Sequence, residues 1–295
     1  MSKVIAVAGG KGGTGKSLIA VSLAYILSLN NGKVLLVDAD VENPCTYTLI
    51  PSYEISNVEI TEFRPKINER CTLCGACVKL CPEHALMIIP NKSVILMENL
   101  CSGCSVCKII CPYNAIDEDH YITGWIKHMR SENDNLDMIV GELNPSSRRA
   151  VNMIINVIEY IGDKNLKYQY TVIDSPPGTG SGVYAILREA NVTLAITEPT
   201  RLGLNDLEKF YLLYKKYGDI RNLLVVINKS SLKGGILEKV ISFIEKNKLT
   251  YWMIPYDIKV VEAYSRGLPV VQLYPDISFS KVIKDIAYYI SKEYE

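Results

Sequence analysis

Eight of the nine cysteines lie in two runs with identical spacing, and their thiolates could bind metal. Each run reads C-x2-C-x2-C-x3-C-P, and the second run repeats the first 30 residues later. The runs are Cys71, Cys74, Cys77, Cys81 and Pro82, followed by Cys101, Cys104, Cys107, Cys111 and Pro112. Three cysteines at three-residue spacing wrap one loop around a small object, while a fourth arrives from elsewhere. This pattern predicts two iron–sulfur clusters.

In two-cluster proteins with this spacing, the fourth cysteine of each run ligates the other cluster. We therefore expect the first cluster on Cys71, Cys74, Cys77 and Cys111, and the second on Cys101, Cys104, Cys107 and Cys81. Zinc is the alternative, but zinc sites usually pair two C-x2-C knuckles about a dozen or more residues apart. Disulfides are not expected, because no secretion signal is apparent. Cys45 lies outside the repeat and is expected to be a small buried apolar residue.

A glycine-rich loop, GGKGGTGKS, lies between a predicted strand at 3–8 and a predicted helix that begins at Ser17. It fits both the triphosphate template G-x-x-x-x-G-K-S and the dinucleotide template G-x-G-x-x-G, and Asp38 stands where the dinucleotide pattern needs an acidic residue. Lys16 and Ser17 favour the triphosphate, because an ammonium neutralises terminal phosphates and a hydroxyl ligates Mg2+. The predicted nucleotide-binding loop residues are Gly10, Lys11, Gly12, Gly13, Thr14, Gly15, Lys16 and Ser17.

Two apolar strand patterns end in carboxylates. In VLLVDADVENP the strand pattern ends at Asp38, with Asp40 two residues later. In YTVIDSPPG it ends at Asp174. Carboxylates at strand ends beside a triphosphate can hold Mg2+, directly or through water, and can position the attacking water. Each one alone is more often a turn or cap residue. Behind a lysine–serine phosphate loop, however, the three placements support one another.

These segments resemble the MinD and ParA group of P-loop ATPases, which includes the nitrogenase iron protein and the Mrp-type iron–sulfur carriers. The resemblance implies ATP or ADP with Mg2+ as the ligand. It implies that Lys11 reaches across an ATP-bound dimer to the partner's phosphates, that Asp40 orients water, and that Asp174 is the Walker B carboxylate. It further places Pro177 and Gly178 near the γ-phosphate, and Asn228, Pro255 and Asp257 near adenine.

Residues 62–119 resemble a clostridial-type ferredoxin with two 4Fe-4S clusters. Strand and helix patterns alternate on both sides of this segment, which predicts an α/β fold with a mainly parallel sheet and helices on both faces. Because the phosphate loop and Asp174 must meet, we expect an ATPase split into 1–61 and 120–295, with a small α+β ferredoxin domain inserted between them. The combination resembles MinD-superfamily ATPases that carry an inserted ferredoxin domain. No cysteine follows Cys111, so a cluster held by the ATPase part is not expected.

The composition limits the partners. Lys plus Arg and Asp plus Glu both number 32, so no charge excess predicts a nucleic-acid surface. No stretch reaches the ~18 apolar residues of a membrane span, and the C-terminal helix lacks the basic face of a membrane-surface helix. Its apolar residues, Phe279, Val282, Ile283, Ile286 and Ile290, are expected to dock on the sheet. We expect a cytoplasmic protein.

The sequence therefore predicts an ATPase in which a nucleotide-driven homodimer gates electron transfer through two clusters to an unidentified partner protein. An ATP-dependent iron–sulfur or metallocofactor assembly or carrier factor is the alternative. A positioning ATPase, whose clusters only stabilise the fold or sense redox state, is a third interpretation.

Overall fold

The computed structural model describes residues 2–29, 32–163, 168–217 and 222–293, and the chain divides into two compact units. The larger unit comprises Met1–Asn57, Ile126–Glu142 and Ala150–Glu295. The smaller unit comprises Val58–Trp125 and Leu143–Arg149. The smaller unit therefore includes the short segment Leu143–Arg149, which lies well after the last cysteine of the repeat in the sequence.

The described chain contains the following strands: β1 (Lys3–Ala8), β2 (Val34–Asp38), β3 (Ser52–Ile67), β4 (Leu86–Ile89), β5 (Ser93–Leu96), β6 (Ile116–Ser131), β7 (Leu136–Leu143), β8 (Tyr170–Asp174), β9 (Val192–Thr197), β10 (Leu223–Asn228) and β11 (Thr250–Ile254). The α-helices are α1 (Lys16–Leu29), α2 (Ala76–Lys79), α3 (Val106–Ile109), α4 (Ala150–Asp163), α5 (Ser181–Glu189), α6 (Arg201–Tyr217), α7 (Leu237–Lys246), α8 (Ile258–Ser265), α9 (Val270–Leu273) and α10 (Ser278–Glu293). Short 3-10 turns lie at Thr46–Thr48 and Glu98–Leu100.

A nine-stranded sheet runs in the order β11-β10-β9-β1-β8-β2-β7-β6-β3. The pairs from β11 through β7 are all parallel. Strands β2, β9 and β10 are buried throughout, and β2 and β10 consist largely of valine, isoleucine and leucine, as expected where helices cover both faces. The prediction of an α/β fold with a mainly parallel sheet is confirmed.

The core lies on both faces of this sheet. On one face α1, α9 and α10 bury apolar side chains against Ile5 and Val7 of β1 and their neighbours. Of the α10 residues predicted to dock, Phe279, Ile283, Ile286 and Ile290 lie in this core, and Val282 is partly buried against it. Ala6 and Ala8 are fully buried as well, and successive strand residues point to opposite faces, so a second core lies on the other face. No helix in the described ranges is long and apolar enough to cross a membrane.

Parallel pairing brings the predicted site together at one edge of the sheet. In the strand register, Asp174 at the end of β8 is opposite both Val7 of β1 and Asp38 of β2. The loop that follows β1 therefore begins beside both carboxylates. Asn228 ends β10 at the same edge, because all of these strands run in the same direction.

The smaller unit is built around the cysteine repeat. Each run leads into a one-turn helix, α2 or α3, and β4 pairs with β5 in an antiparallel hairpin between the runs. Gly75 and Ser105 occupy equivalent places before these helices, with φ of 78° and 60°. Cys77 and Cys107 are buried with Leu86, Val94 and Ile116 in a core of this unit's own.

Candidate functional site

The loop between β1 and α1 depends on glycine at two places. Gly13 and Gly15 have φ of +79° and +94°, which side-chain-bearing residues rarely adopt. A Cβ on Gly15 would also lie 2.4 Å from Asn228 Nδ2. That amide donates to the carbonyl oxygen of Thr14 at 2.7 Å. Asn228, predicted to lie near adenine, therefore also braces the loop.

Lys16 is the first residue of α1 and is almost completely buried. Its Nζ donates to the carbonyl oxygen of Lys11 at 3.1 Å, across the concave side of the loop. Burial lowers the pKa of Lys16, while the charges of Asp174 and Asp40 act in the opposite direction. A buried ammonium bonded to one backbone carbonyl can turn toward an incoming phosphate and gain a charge-assisted hydrogen bond.

Asp38 shapes the loop after β2. It is fully buried, and its Oδ2 accepts from the backbone N–H groups of Cys45 and Thr46 and from Thr46 Oγ1, each at 2.9 Å. Its Oδ1 accepts from the N–H of Asp40 at 3.1 Å. With its oxygens occupied in this way, Asp38 positions Asp40 and Cys45 and offers little to a ligand.

Asp174 has the opposite character. It is 1% exposed, and within the described residues neither carboxylate oxygen makes a hydrogen bond of ordinary geometry. Burial, and then the charge of Asp38, raise its pKa well above the ordinary value, while the Ser17 hydroxyl and Lys16 oppose the shift. Burial also raises the pKa of Asp40 to about 6, with Asp38 adding to the effect. A buried carboxylate whose oxygens lack hydrogen bonds of ordinary geometry, beside a serine hydroxyl, fits Mg2+, which prefers oxygen ligands.

A cavity of about 440 Å³ opens beside the loop, within the range of small-molecule sites. The predicted site residues that line it are Gly12, Gly13, Gly15, Lys16, Ser17, Asp40, Asn228, Pro255 and Asp257. The predicted residues outside its lining are Gly10, Lys11, Thr14, Asp174, Pro177 and Gly178. Its far end is apolar and aromatic, with Tyr256, Tyr264 and Phe279. Asp257 caps α8 by accepting from Lys259 N at 2.9 Å.

Cys45 also lines this cavity, although its type and isolation predicted a buried apolar residue. The Ser17 hydroxyl interacts with its thiol, and burial raises the pKa of that thiol to about 11. The thiol is therefore protonated at neutral pH. No signal in the sequence placed it there, because the Asp38 hydrogen bonds that hold its backbone depend on the folded loop.

Glu198 and Lys229 are two further residues that the sequence reasoning missed. Glu198 Oε2 lies 3.3 Å from Lys11 Nζ, and its Oε1 accepts from Lys229 Nζ at 2.6 Å. Lys229 also donates to the carbonyl oxygen of Gly13 at 3.0 Å. Burial raises the pKa of Glu198, but the bonds from Lys229 and Lys11 outweigh burial and leave it lowered. Both residues directly follow parallel strands, which is the signal that could have found them.

The smaller unit contains two cavities lined by cysteines. The first is lined by Cys71, Cys74, Cys77 and Cys111, and the second by Cys81, Cys101, Cys104 and Cys107. Each cavity therefore gathers three cysteines of one run and the fourth of the other. All eight thiols are free. Backbone N–H groups donate to three of the sulfurs: Ala85 to Cys81 and Ala115 to Cys111 at 3.3 Å, and Gly103 to Cys101 at 3.4 Å.

No three His, Cys, Asp or Glu side chains in the described chain are grouped closely enough to hold a single metal ion. A cubane makes a different demand, because its four thiolates bind four separate iron atoms. Backbone N–H groups directed at the sulfurs are among the contacts that tune such clusters. Four cysteines suit zinc as well as a cluster, but thiols that are not grouped around a single ion fit a four-iron cubane better than they fit zinc.

The larger unit's fold and site define a P-loop nucleoside triphosphatase: a glycine-rich loop at the carboxyl edge of a parallel sheet, with a buried lysine and carboxylate behind it. The profile of the CobQ/CobB/MinD/ParA nucleotide binding domain matches residues 5–270, and the chain belongs to this family. The prediction of a MinD/ParA-type ATPase is confirmed.

Two relatives illustrate the range of similarity. An uncharacterized protein of Methanocaldococcus jannaschii is 31% identical over 265 residues, which cover 90% of each chain. The iron–sulfur cluster carrier protein of Pyrococcus furiosus is 25% identical over 303 residues, covering 96% of this chain and 83% of that protein.

Solved structures share the fold. The cell division ATPase MinD of Pyrococcus furiosus superposes with a TM-score of 0.60 at 19% identity, covering 99% of both chains. The septum site-determining protein MinD of Pyrococcus horikoshii, complexed with Mg-ADP, gives 0.59 at 17% identity, covering 99% of this chain and 97% of that one. At these identities the likeness shows the α/β fold alone.

Proposed function

We propose that this ATPase is an iron–sulfur protein in which MgATP-driven homodimer switching gates electron transfer through two 4Fe-4S clusters to a partner protein. The observation that carries the proposal is the pair of cavities, each lined by four cysteines. A complete ligand set suits a permanently held cluster, whereas delivery of a cluster favours exposed or shared ligands. A 4Fe-4S cluster supplies one-electron chemistry.

The nucleotide site would work as follows. Lys16 would leave the Lys11 carbonyl for the terminal phosphates, and the Ser17 hydroxyl and Asp174 would hold Mg2+, directly or through water. Asp40 orients the attacking water. Asn228, Pro255 and Asp257, which line the cavity together with Tyr256, Tyr264 and Phe279, would surround the base. Pro177 and Gly178, which follow β8, would lie near the γ-phosphate. The MinD of Pyrococcus horikoshii, bound to Mg-ADP, supports this choice of ligand.

Lys11 would provide the link to dimerisation. In the single chain its ammonium pairs with Glu198. To reach the phosphates of a partner subunit it must leave that carboxylate, so nucleotide-driven association would exchange one ion pair for another. Lys11→Ala should therefore reduce dimer-dependent hydrolysis more than ATP binding. Unchanged turnover in that variant would contradict the role.

For the domain organisation, we propose that 62–119 is an inserted ferredoxin-type domain between ATPase segments 1–61 and 120–295. The smaller unit, which contains all eight cysteines of the repeat, supports this division.

A cluster carrier is the second candidate, because the relatives in Pyrococcus furiosus and Aquifex aeolicus, each 25% identical, are iron–sulfur cluster carrier proteins. Reconstituted protein separates the two functions. Electron transfer predicts that ATP changes the rate at which reduced protein is oxidised by an acceptor, with the iron content unchanged. ATP-dependent loss of intact clusters to an apo-acceptor would instead favour the carrier.

Matched cysteine variants make the assay specific. Cys74→Ser and Cys104→Ser should each remove one cluster, because each changes one cavity, whereas Cys45→Ala should retain both. Lys16→Ala should keep both clusters and lose the ATP effect. If both serine variants kept full iron content, the two-cluster proposal would be wrong. Lipid or filament binding that survived both serine changes would favour a positioning ATPase.

A further inference from the structure

The two cysteine cavities are built on repeated sequence but differ in their charged surroundings. The carbonyl oxygen of Cys101, in the second run, accepts from Arg149 Nη2 at 2.7 Å and from Arg64 Nη1 at 3.0 Å. In the described residues, no arginine or lysine side chain donates to a backbone carbonyl of the first run's loop, 71–77. Among the described residues, two guanidinium groups therefore donate to the loop of the second run, and none donates to a backbone carbonyl of the matching loop in the first run.

Both arginine side chains make further contacts within the smaller unit. Arg149 forms an ion pair with Glu62, and the two side chains are 13% and 15% exposed. The Arg64 guanidinium lies over the ring of Tyr121, 4.5 Å from its centroid. These three side chains, two cations and one anion, together carry a net positive charge. Because both ends of the Arg149–Glu62 pair are largely shielded from water, salt screens this charge only weakly.

A single sequence difference makes room for Arg149. Gly103 in the second run corresponds to Leu73 in the first, 30 residues earlier, and both have left-handed backbone with φ of 62° and 57°. A Cβ on Gly103 would lie 3.0 Å from Arg149 Nη1 and 3.0 Å from the carbonyl oxygen of Phe63. A leucine there, as in the first run, would crowd the guanidinium and the Phe63 carbonyl oxygen. The two runs therefore differ at the position against which Arg149 packs.

We propose that Arg149, supported by Arg64, gives the cluster held by Cys81, Cys101, Cys104 and Cys107 the higher reduction potential of the two. This inference rests on the proposed function, since it requires both clusters. Reduction adds one electron and makes a cluster more negative, and a nearby positive charge stabilises the more negative state. A single electron entering the smaller unit therefore resides on the second cluster, and the first cluster is the harder one to reduce.

The test is a redox titration of the reconstituted full chain, with dithionite as the one-electron donor, followed by electron paramagnetic resonance and visible absorbance. The wild type should show two separate midpoints. Arg149→Gln should lower the higher one, so that the ratio of reduced to oxidised cluster at a fixed potential falls about tenfold, or about 59 mV for one electron. Glu62→Gln should raise that same midpoint, because it removes the opposing anion.

Three further variants make the result specific. Arg148→Gln removes the same charge from the neighbouring residue, which is exposed, and should leave both midpoints in place. Arg149→Lys keeps the charge and should hold the higher midpoint near the wild-type value. Arg149→Gln leaves the charge of Glu62 without its ion pair to Arg149. The double variant Glu62→Gln/Arg149→Gln removes both charges of the pair, so it separates a charge effect from a folding defect.

The outcomes separate the two proposals. If the wild type holds two reducible clusters and Arg149→Gln moves neither midpoint, or moves only the lower one, the inference is overturned and the proposed function stands. Equal midpoints in the wild type would also overturn it. If the wild type does not hold two reducible clusters, both proposals are wrong. A downward shift in Arg149→Gln with an upward shift in Glu62→Gln would support the inference.

Discussion

The phosphate loop allows a graded test of how its glycines work, because three neighbouring glycines meet different surroundings. Gly12 has ordinary φ and open space, Gly13 has φ of +79° and open space, and Gly15 has φ of +94° and a blocked Cβ position. Substitution by alanine therefore adds no strain at Gly12, backbone strain alone at Gly13, and backbone strain together with a steric clash at Gly15.

The magnitudes follow from these geometries. Left-handed backbone costs an L-residue about 1–2 kcal/mol, while glycine replacement returns about 0.4–1 kcal/mol through the unfolded chain. Gly12→Ala should therefore be neutral or slightly stabilising, and Gly13→Ala should cost about 1 kcal/mol. Gly15→Ala must also displace Asn228 from Thr14, losing a buried hydrogen bond worth about 1 kcal/mol and adding steric strain. We expect a total cost of about 3 kcal/mol.

The assay is urea unfolding of the nucleotide-free chain in a Trp125→Phe background, so that the fluorescence of Trp252 reports on the larger unit. Asn228→Ala removes both the hydrogen bond and the obstructing amide. In that background Gly15→Ala should cost only about 1 kcal/mol, the strain expected for Gly13→Ala. Equal costs for Gly12→Ala and Gly15→Ala, or full additivity of Gly15→Ala with Asn228→Ala, would refute the reasoning.

Three further predictions concern the charged groups around the loop. The pKa of Asp40 is about 6 in the folded protein against an ordinary 3.8, so the folded state binds the extra proton between these values and its stability falls as pH rises through them. The difference between these pKa values corresponds to about 3 kcal/mol, which we reduce to about 2 kcal/mol because Asp40 is only partly buried. Asp40→Asn should therefore raise the free energy of unfolding by about 2 kcal/mol at pH 8 and by less at pH 5; an equal gain at both would contradict this account. Thr46→Val should cost about 2 kcal/mol in urea unfolding, since it removes a buried hydrogen bond to Asp38, whereas exposed Thr48→Val should cost less. Glu198→Gln should cost only about 1 kcal/mol, because Lys11 and Lys229 are about one-third exposed, and salt should reduce the difference from wild type; a cost that 1 M salt left unchanged would argue against an electrostatic origin.

Local spacing accounts for what could be predicted. The glycines at 12–15 and the Lys16–Ser17 pair encode a backbone path directly, so the loop and the strand and helix on either side of it could be read from consecutive residues. The same holds for the cysteine repeat, where three-residue spacing determines which thiols share a loop. The alternation of strands and helices was likewise enough to predict a mainly parallel sheet.

What could not be predicted depends on strand order and long-range contacts. Glu198 meets Lys11 because β9 lies next to β1, and adjacency of strands far apart in sequence has no local signal. Arg149 reaches Cys101 from a segment that periodicity assigned to the ATPase part. The sequence predicted Cys45 to be an ordinary buried residue. In the structure, the hydrogen bond from its backbone N–H to Asp38 positions it at the cavity beside the phosphate loop.

The ion pair between Glu198 and Lys11 has a consequence for how tightly two subunits can associate. A lysine that already has a partner in its own chain must give up that contact before it serves the neighbouring subunit, so the new contact contributes only a difference between two similar interactions. Such an exchange adds little to the lifetime of the assembly. In the proposed homodimer, the subunits would separate readily once the γ-phosphate is lost, and the intrachain carboxylate would recapture the lysine and return the protein to its starting state.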